Sequence, residues 1–478
     1  MSRLTAVQER AVAELVRVSP VADDLGARFE AAGKELHLVG GSVRDALLGR
    51  LAGDLDFATD ARPPDVERLL SGWADATWTT GIEFGTVGAA RGPWRCEITT
   101  FRTESYRSAS RKPDVRYGET LAEDLARRDF TINAMAYSLP GHVFCDPHGG
   151  LRDLAERVLR TPQSPRASFE DDPLRMLRAM RFVAQLGFAV DPEVVAAVRE
   201  MAGRLAIVSA ERVRDEFSKL LTAPAPVAAL ELLVDTGLAE QFLPEIPRLR
   251  LEIDPDPAHR HKDVYRHTLA VLERAVSLES GGADLILRMA ALLHDIGKPR
   301  TRAYGPAGVS FHHHEIVGAQ LASARLKSLR YPGPFVDDVA RLVELHLRFH
   351  GYGEGGWTDS AVRRYVRDAG PLLDRLHVLV RSDCTTRNKR KADALARAYN
   401  DLEARIERLA EQEELAAVRP DLDGRQVMRL LGLPPGPAVG RALAHLLELR
   451  LDRGPLSPVE AEAELRRWAT EHGIAPSD

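Results

Sequence analysis

The sequence predicts an α+β protein, with a mixed strand-and-helix head over residues 1–165 and all-helical units after it. Three observations carry this. Short apolar runs of strand type, punctuated by glycine turns, are confined to the head. From about Pro165 onward apolar residues recur at spacings of three and four, the period of helices with a buried stripe. The chain has 478 residues, too many for one core and enough for about three domains. Pro and Gly clusters at Asp254–Pro257, Gly351–Gly356 and Pro434–Pro437 mark linkers or loops.

Within the head, Glu35–Val39 reads as a strand and Ser42–Leu48 as a helix closed by Gly49. Asp54–Ala58 and Glu97–Arg102 read as further strands, and Phe130–Tyr137 as the start of another helix. In the helical part, Leu174, Leu177, Arg181 and Ala184 against Arg175 and Arg178 read as a helix with an apolar stripe beside a basic one. No run of 18 apolar residues exists, so no membrane span is expected. The charged N-terminus and three scattered cysteines point to a cytoplasmic protein without a secretory signal or disulfide framework. With 65 Lys and Arg against 70 Asp and Glu, the net charge of −5 excludes a dedicated polycationic nucleic-acid binder. Any such contact rests on local patches: Arg107, Arg111, Lys112 and Arg116, or Arg387, Lys389, Arg390 and Lys391.

The most informative stretch is Leu38-Val39-Gly40-Gly41-Ser42-Val43-Arg44-Asp45, followed by Asp54-Leu55-Asp56-Phe57. A strand entering a diglycine turn and then a helix lets backbone amides approach a polyphosphate. Arg44 can add charge-assisted bonds to it. Asp54 and Asp56 lie two apart on a strand and share a face, a hard-oxygen pair suited to Mg²⁺. Together these segments resemble the nucleotidyltransferase superfamily that includes DNA polymerase beta. More narrowly, GGSVRD and DLDFAT resemble the class II tRNA nucleotidyltransferase and bacterial poly(A) polymerase family. Glu97 is the candidate third carboxylate.

Arg127-Arg128-Asp129-Phe130-Thr131-Ile132-Asn133 matches that family's RRDFTIN element. The resemblance implies that Arg128, Asp129 and Asn133 place the ribose, with Gly40, Gly41, Ser42 and Arg44 on the triphosphate. Asp171-Asp172-Pro173-Leu174-Arg175 resembles the EDxxR element, with Asp in the first position instead of Glu. An acceptor at Asp172 and a donor at Arg175, three apart on a helix, would suit cytosine and adenine and reject guanine and uracil. Arg178 of the same basic stripe joins the nucleotide-binding set. Glu211–Glu216 resembles the last shared element and reads as structural.

His294-Asp295, followed by Ile-Gly-Lys-Pro, resembles the HD-type metal-dependent phosphohydrolases. His267, His314, His346 and Asp383 complete a six-ligand set like the dinuclear form, with Mn²⁺, Ni²⁺, Fe or Mg²⁺ left open. Cyclic phosphates at damaged RNA ends are the substrate this likeness suggests.

The resemblances imply a nucleotidyltransferase head (1–165), a helical neck that binds RNA (166–250), an HD-type metal domain (251–400) and a C-terminal helical tail (401–478). They imply addition or repair of the tRNA 3′-terminal CCA from CTP and ATP with Mg²⁺, releasing pyrophosphate. A poly(A) polymerase, an A-only or C-only enzyme, and an HD phosphohydrolase with an RNA-binding head are the alternatives. Tyr106–Gly118 would be a mobile loop, and the helical C-terminal part with Arg387–Lys391 would measure tRNA. Pro434–Gly440 is similar to a C-terminal family element and reads equally well as a loop and helix cap.

Overall fold

The computed structural model describes residues 20–50, 53–82, 85–105, 114–118, 120–250, 263–305, 308–349, 352, 357–384, 389–413 and 419–474. They form two compact units, Met1–Pro247 and Arg248–Asp478. Among the described residues no helix is long and apolar enough to cross a membrane.

The first unit runs α1 (Pro20–Ala31), β1 (Leu36–Val39), α2 (Gly41–Leu47), β2 (Asp54–Thr59), α3 (Pro63–Leu70), β3 (Ala76–Trp78), β4 (Thr86–Arg91), β5 (Trp94–Thr100), β6 (Arg102–Ser105), β7 (Asp114–Tyr117), α4 (Leu121–Ala126), β8 (Ala136–Leu139) and β9 (Phe144–Cys145). The helices α5 (Gly150–Glu156), α6 (Pro165–Asp171), α7 (Leu174–Leu186), α8 (Pro192–Met201), α9 (Ala210–Leu221) and α10 (Pro226–Asp235) follow. Seven strands form one sheet in the order β3-β4-β5-β2-β1-β8-β9, in which β2 and β5 are parallel. Alternation along β2 buries Leu55 and Phe57 in the head core with Phe29, Leu38, Ile98 and Phe182, and leaves Asp54 and Asp56 on the open face.

Two local expectations fail. Phe130–Tyr137 is not a helix: a 3₁₀ turn at Thr131–Asn133 leads into strand β8, which pairs with β1 through Leu38 and Tyr137. Phe130, Ile132, Ala134, Met135 and Ala136 are all buried, so periodicity could not tell helix from strand here. Asp172 and Arg175 do not share a helix. Asp172 precedes Pro173, whose ring disfavours the helical region for its neighbour, and it adopts φ −145° and ψ 103° between α6 and α7.

The second unit contains α11 (Val264–Leu278), α12 (Leu285–Leu293), α13 (His314–Ser328), α14 (Gly333–Leu345), α15 (Asp359–Ala369), α16 (Leu373–Asp383) and α17 (Lys389–Glu413). It ends with α18 (Gly424–Leu431), α19 (Pro437–Arg453) and α20 (Pro458–Glu471), which share a core of Val427, Leu446, Leu465 and Trp468. The Pro434–Gly440 segment is a loop that enters α19, with Pro437 in its first turn.

Candidate active site and metal centre

The diglycine bend sits beside the carboxylate strand. Gly40 adopts φ 69°, and a Cβ there would stand 2.8 Å from Arg128 Nη1 and 4.0 Å from Asp56 Oδ2. Glycine is required both for that backbone shape and for the room the Arg128 guanidinium occupies. Ser42 Oγ accepts from the Asp56 amide at 3.0 Å and donates to the Asp54 carbonyl at 3.4 Å, tying the bend to β2.

Across the parallel pair, Asp56 is in register with Glu97 and Asp54 with Arg95. Asp54, Asp56, Glu97, Arg95 and Trp78 line one cavity of about 430 Å³. Desolvation by the surrounding chain and the Glu97 and Asp54 charges raise the Asp56 pKa, against Arg128 and Arg44, which lower it. Mutually repelling hard-oxygen donors on one face fit a divalent cation such as Mg²⁺.

A second cavity of about 320 Å³ also borders Asp56 and is lined by Arg102, Arg127, Arg128, Asp129, Asp172, Arg175, Arg178 and Arg212 among others. Three of its arginines, Arg127, Arg128 and Arg178, are held by the buried carboxylates of Asp124 and Asp129. Asp124 accepts from Arg127 Nη2 at 2.6 Å and Arg128 Nη2 at 2.9 Å. Burial would raise the Asp124 pKa, but the two guanidiniums hold it at about 2. Asp129 accepts from Arg178 Nη2 at 2.6 Å and from Asn133 Nδ2 at 3.0 Å, and these partners overcome burial to keep its carboxyl well below the usual range.

Several sequence-predicted residues stand behind the cavity as its support. Arg44 is 5% exposed; its Nη1 donates to Asn133 Oδ1 at 2.7 Å, and Nε and Nη2 go to the Asp45 carboxylate. The Arg44 side chain therefore braces the RRDFTIN turn here instead of facing the phosphate space, and Asn133 is its partner instead of a wall of the cavity. Ser42 likewise uses its hydroxyl on β2. The Asp172–Arg175 fork is also not formed. Asp172 Oδ2 accepts from Arg212 Nη2 at 2.7 Å and Oδ1 from the Leu174 amide at 3.1 Å. Arg175 donates to Ser168 Oγ at 2.9 Å and to the Arg127 carbonyl.

Asp124 and Arg212 escaped the sequence reading. The spacing of Asp124 three and four residues before Arg127 and Arg128 was the available signal for the first. Arg212 lay in a segment read as structural, and only the fold brings it to Asp172. The Tyr106–Gly118 loop lies largely outside the described residues, as does Arg387; Lys389, Arg390 and Lys391 are exposed at the start of α17.

Residues 36–160 match the Poly A polymerase head domain, 187–249 the probable RNA- and SrmB-binding site of polymerase A, and 264–410 the HD domain. An A-adding tRNA nucleotidyltransferase of Deinococcus radiodurans is 37% identical over 441 residues, 91% of this chain and 95% of the relative. This chain belongs to the class II tRNA nucleotidyltransferase and bacterial poly(A) polymerase family. CCA-adding enzymes of Geobacillus sp. and Bacillus subtilis are 46% and 44% identical, over 43% and 44% of the chain, which spans about half of their length. The crystal structure of the Bacillus stearothermophilus CCA-adding enzyme in complex with CTP superposes with a TM-score of 0.64 at 26% identity, covering 95% of this chain and 99% of that one.

The family's HD domain carries the second cluster, built from helix ends. His294 caps α12, His314 opens α13, His346 follows α14 and Asp383 closes α16, while His267 lies in α11. His294, His314 and His346 each bond through Nδ1 to a backbone carbonyl, at 2.8, 2.8 and 2.6 Å. That fixes the tautomer with Nε2 as the lone-pair nitrogen. The three Nε2 atoms and Asp295 Oδ1 are buried without a hydrogen-bond partner.

Asp295 belongs to two groups whose ligand atoms lie within 4.8 Å of one another, His267–His294–Asp295 and Asp295–His314–His346. His267 Nε2 stands 2.8 Å from Asp383 Oδ1, which brings in the sixth predicted residue. Burial, and then the neighbouring His294, push the His346 pKa down to about 3, so it is a neutral imidazole. Orphaned imidazole nitrogens around a shared buried carboxylate fit a divalent centre, and the donor set does not choose among Mn²⁺, Ni²⁺, Fe and Mg²⁺.

Proposed function

We propose that this chain adds or repairs the 3′-terminal CCA of tRNA from CTP and ATP without a nucleic-acid template. The observation that carries the reading is the shared border at Asp56, with three carboxylates on one side and an arginine-rich cavity beside the diglycine bend on the other. In the reaction the acceptor's terminal hydroxyl gives up its proton to solvent, and its oxygen bonds to the α-phosphorus of the incoming nucleotide. The α–β phosphoanhydride bond breaks, and pyrophosphate leaves with its charge. Mg²⁺ held by Asp54 and Asp56, with Glu97 adjoining, would polarise the α-phosphate and favour the ionised hydroxyl.

The chain's own groups do the rest. Gly40 and Gly41 offer their backbone at the triphosphate, and Arg128, aimed by Asp124, supplies positive charge there. Asp129 faces the ribose hydroxyls, with Asn133 and Arg44 fixing its turn. Asp172, held by Arg212, offers an acceptor to the exocyclic amino group that cytosine and adenine share, while Arg175 and Arg178 supply donors. Guanine and uracil present the reverse pattern and leave buried groups unpaired.

An A-only enzyme is the second reading, favoured by the Deinococcus relative matched over nearly its whole length. Incubating the purified chain with tRNAs ending at the discriminator base, at C or at CC, with CTP or ATP labelled in turn, separates the two. CCA completion on all three supports the first reading, and A addition restricted to the CC end replaces it. Runaway A-tailing or C-only addition overturns both. The HD centre supports a separate metal-dependent phosphohydrolase activity: the six residues would hold a divalent ion, which would favour ionisation of a water able to displace the alcohol of a phosphoester. Phosphoesterase assays with Mn²⁺ and with Ni²⁺ test it. The protein would work in the cytoplasm, where its tRNA, CTP and ATP are found.

A further inference from the structure

Four strands carry a row of residues directly opposite one another: Trp78 on β3, Gly88 on β4, Glu97 on β5 and Asp56 on β2. Residues in such a row share one face of the sheet, with about 4.8 Å between neighbouring strands. The glycine lets the row close up. A Cβ on Gly88 would stand 2.0 Å from Trp78 Nε1 and 2.1 Å from Cε2, so the indole occupies the place of the missing side chain and leans toward Glu97. Trp78 is only partly buried and lines the cavity of Asp54, Asp56 and Glu97, together with Arg95.

This cavity runs from Asp56 back along β2 and β5 to Asp54 and Arg95, whereas the arginine-rich one runs the other way, to Phe57 and Thr99. The arginine-rich cavity, with Arg128 beside Gly40, also borders Asp56. In-line transfer needs the attacking hydroxyl and the leaving pyrophosphate on opposite sides of the α-phosphorus. If the triphosphate takes the arginine-rich side, the acceptor strand takes the other.

We infer that Trp78 and Arg95 form the subsite for the 3′-terminal nucleotide of the RNA acceptor, the indole stacking on its base and the guanidinium facing its last phosphodiester. Single-stranded RNA ends are held in this way, by aromatic stacking that tolerates any base and by cations along the backbone. Such tolerance suits an acceptor whose terminal base changes after each addition. The inference rests on the nucleotidyl-transfer reading and extends it to the second substrate.

The test uses the full chain with a tRNA acceptor carrying 2-aminopurine as its terminal nucleotide. Binding to the wild type is expected to quench the probe, and Trp78→Leu, which fills the space without an aromatic ring, to abolish the quenching. In steady state Trp78→Leu is expected to raise KM for acceptor tRNA roughly tenfold and leave KM for ATP within about twofold. Trp78→Phe should recover most of the loss. Arg95→Gln should raise the acceptor KM several-fold and make it less sensitive to salt. An unquenched probe on the wild type, or an unchanged acceptor KM in Trp78→Leu with addition intact, overturns the subsite while leaving nucleotide transfer standing. A wild type that adds no nucleotide to any acceptor overturns the reading beneath it as well.

Discussion

Asp56 and Glu97 stand opposite each other on the parallel strands β2 and β5, two carboxylates in register on one open face. Their repulsion contributes to the raised Asp56 pKa, behind burial. A divalent ion bound there would relieve that repulsion, so its affinity is expected to depend on both. Glu97→Gln is expected to raise the Mg²⁺ concentration for half-maximal nucleotide addition about tenfold and to lower kcat at saturating Mg²⁺ by less than that. An unchanged Mg²⁺ titration would leave Glu97 as a surface charge.

Asp124 sets Arg127 and Arg128 at the arginine-rich cavity. Its folded pKa of about 2 lies below the unfolded value of about 3.9, so its stabilisation is present above pH 4 and is lost as pH falls from about 4 to 2. Asp124→Asn is therefore expected to destabilise the head by about 2 kcal/mol at pH 7. The gap from wild type should narrow through that acid window in denaturant unfolding. A gap independent of pH would mean that packing, and not charge, is what the substitution removes.

Base choice should follow Asp172. In Asp172→Asn the amide offers a donor where the carboxylate offered only acceptors, so discrimination against UTP and GTP is expected to fall by roughly 10–100-fold in kcat/KM ratio. Arg212→Ala, which leaves the Asp172 carboxylate without its 2.7 Å partner, should erode the same ratio less steeply. Competition assays with mixed nucleotides read both. Equal losses for all four nucleotides would place Asp172 outside base recognition.

The HD cluster should hold metal independently of the head. His294→Ala with Asp295→Asn is expected to remove most divalent metal retained by protein reconstituted with Mn²⁺ or Ni²⁺, measured by elemental analysis after desalting. Nucleotide addition should persist at near wild-type rate. Equal metal content in the two proteins contradicts the six-ligand arrangement.

Much of this was legible in the chain because it is local. Alternation at Asp54-Leu55-Asp56-Phe57 placed two carboxylates on one face, and the diglycine marked the bend that lies against them. His294 falls at the end of an apolar helical run, as the sequence suggests. What was not legible depends on long-range pairing or on one proline. Phe130–Tyr137 became a turn and a strand because β1 needed a partner. Pro173 took Asp172 off the helix and into the reach of Arg212, forty residues away. Arg44, named for its charge, proved to be satisfied by Asp45 and Asn133. The row from Trp78 to Asp56 exists only once four strands are in register.

In the proposed function, Asp54 and Asp56, gathered at the diglycine bend, would hold the metal for nucleotide transfer to an RNA end. The most direct measurement is single-turnover addition of labelled CTP and ATP to truncated tRNA by the wild type and by Asp56→Asn, with nucleotide binding followed in parallel. Addition by the wild type is expected, with a rate lower by roughly 10²–10³-fold in Asp56→Asn and little change in nucleotide affinity measured without metal. Addition by Asp56→Asn at the wild-type rate would contradict it.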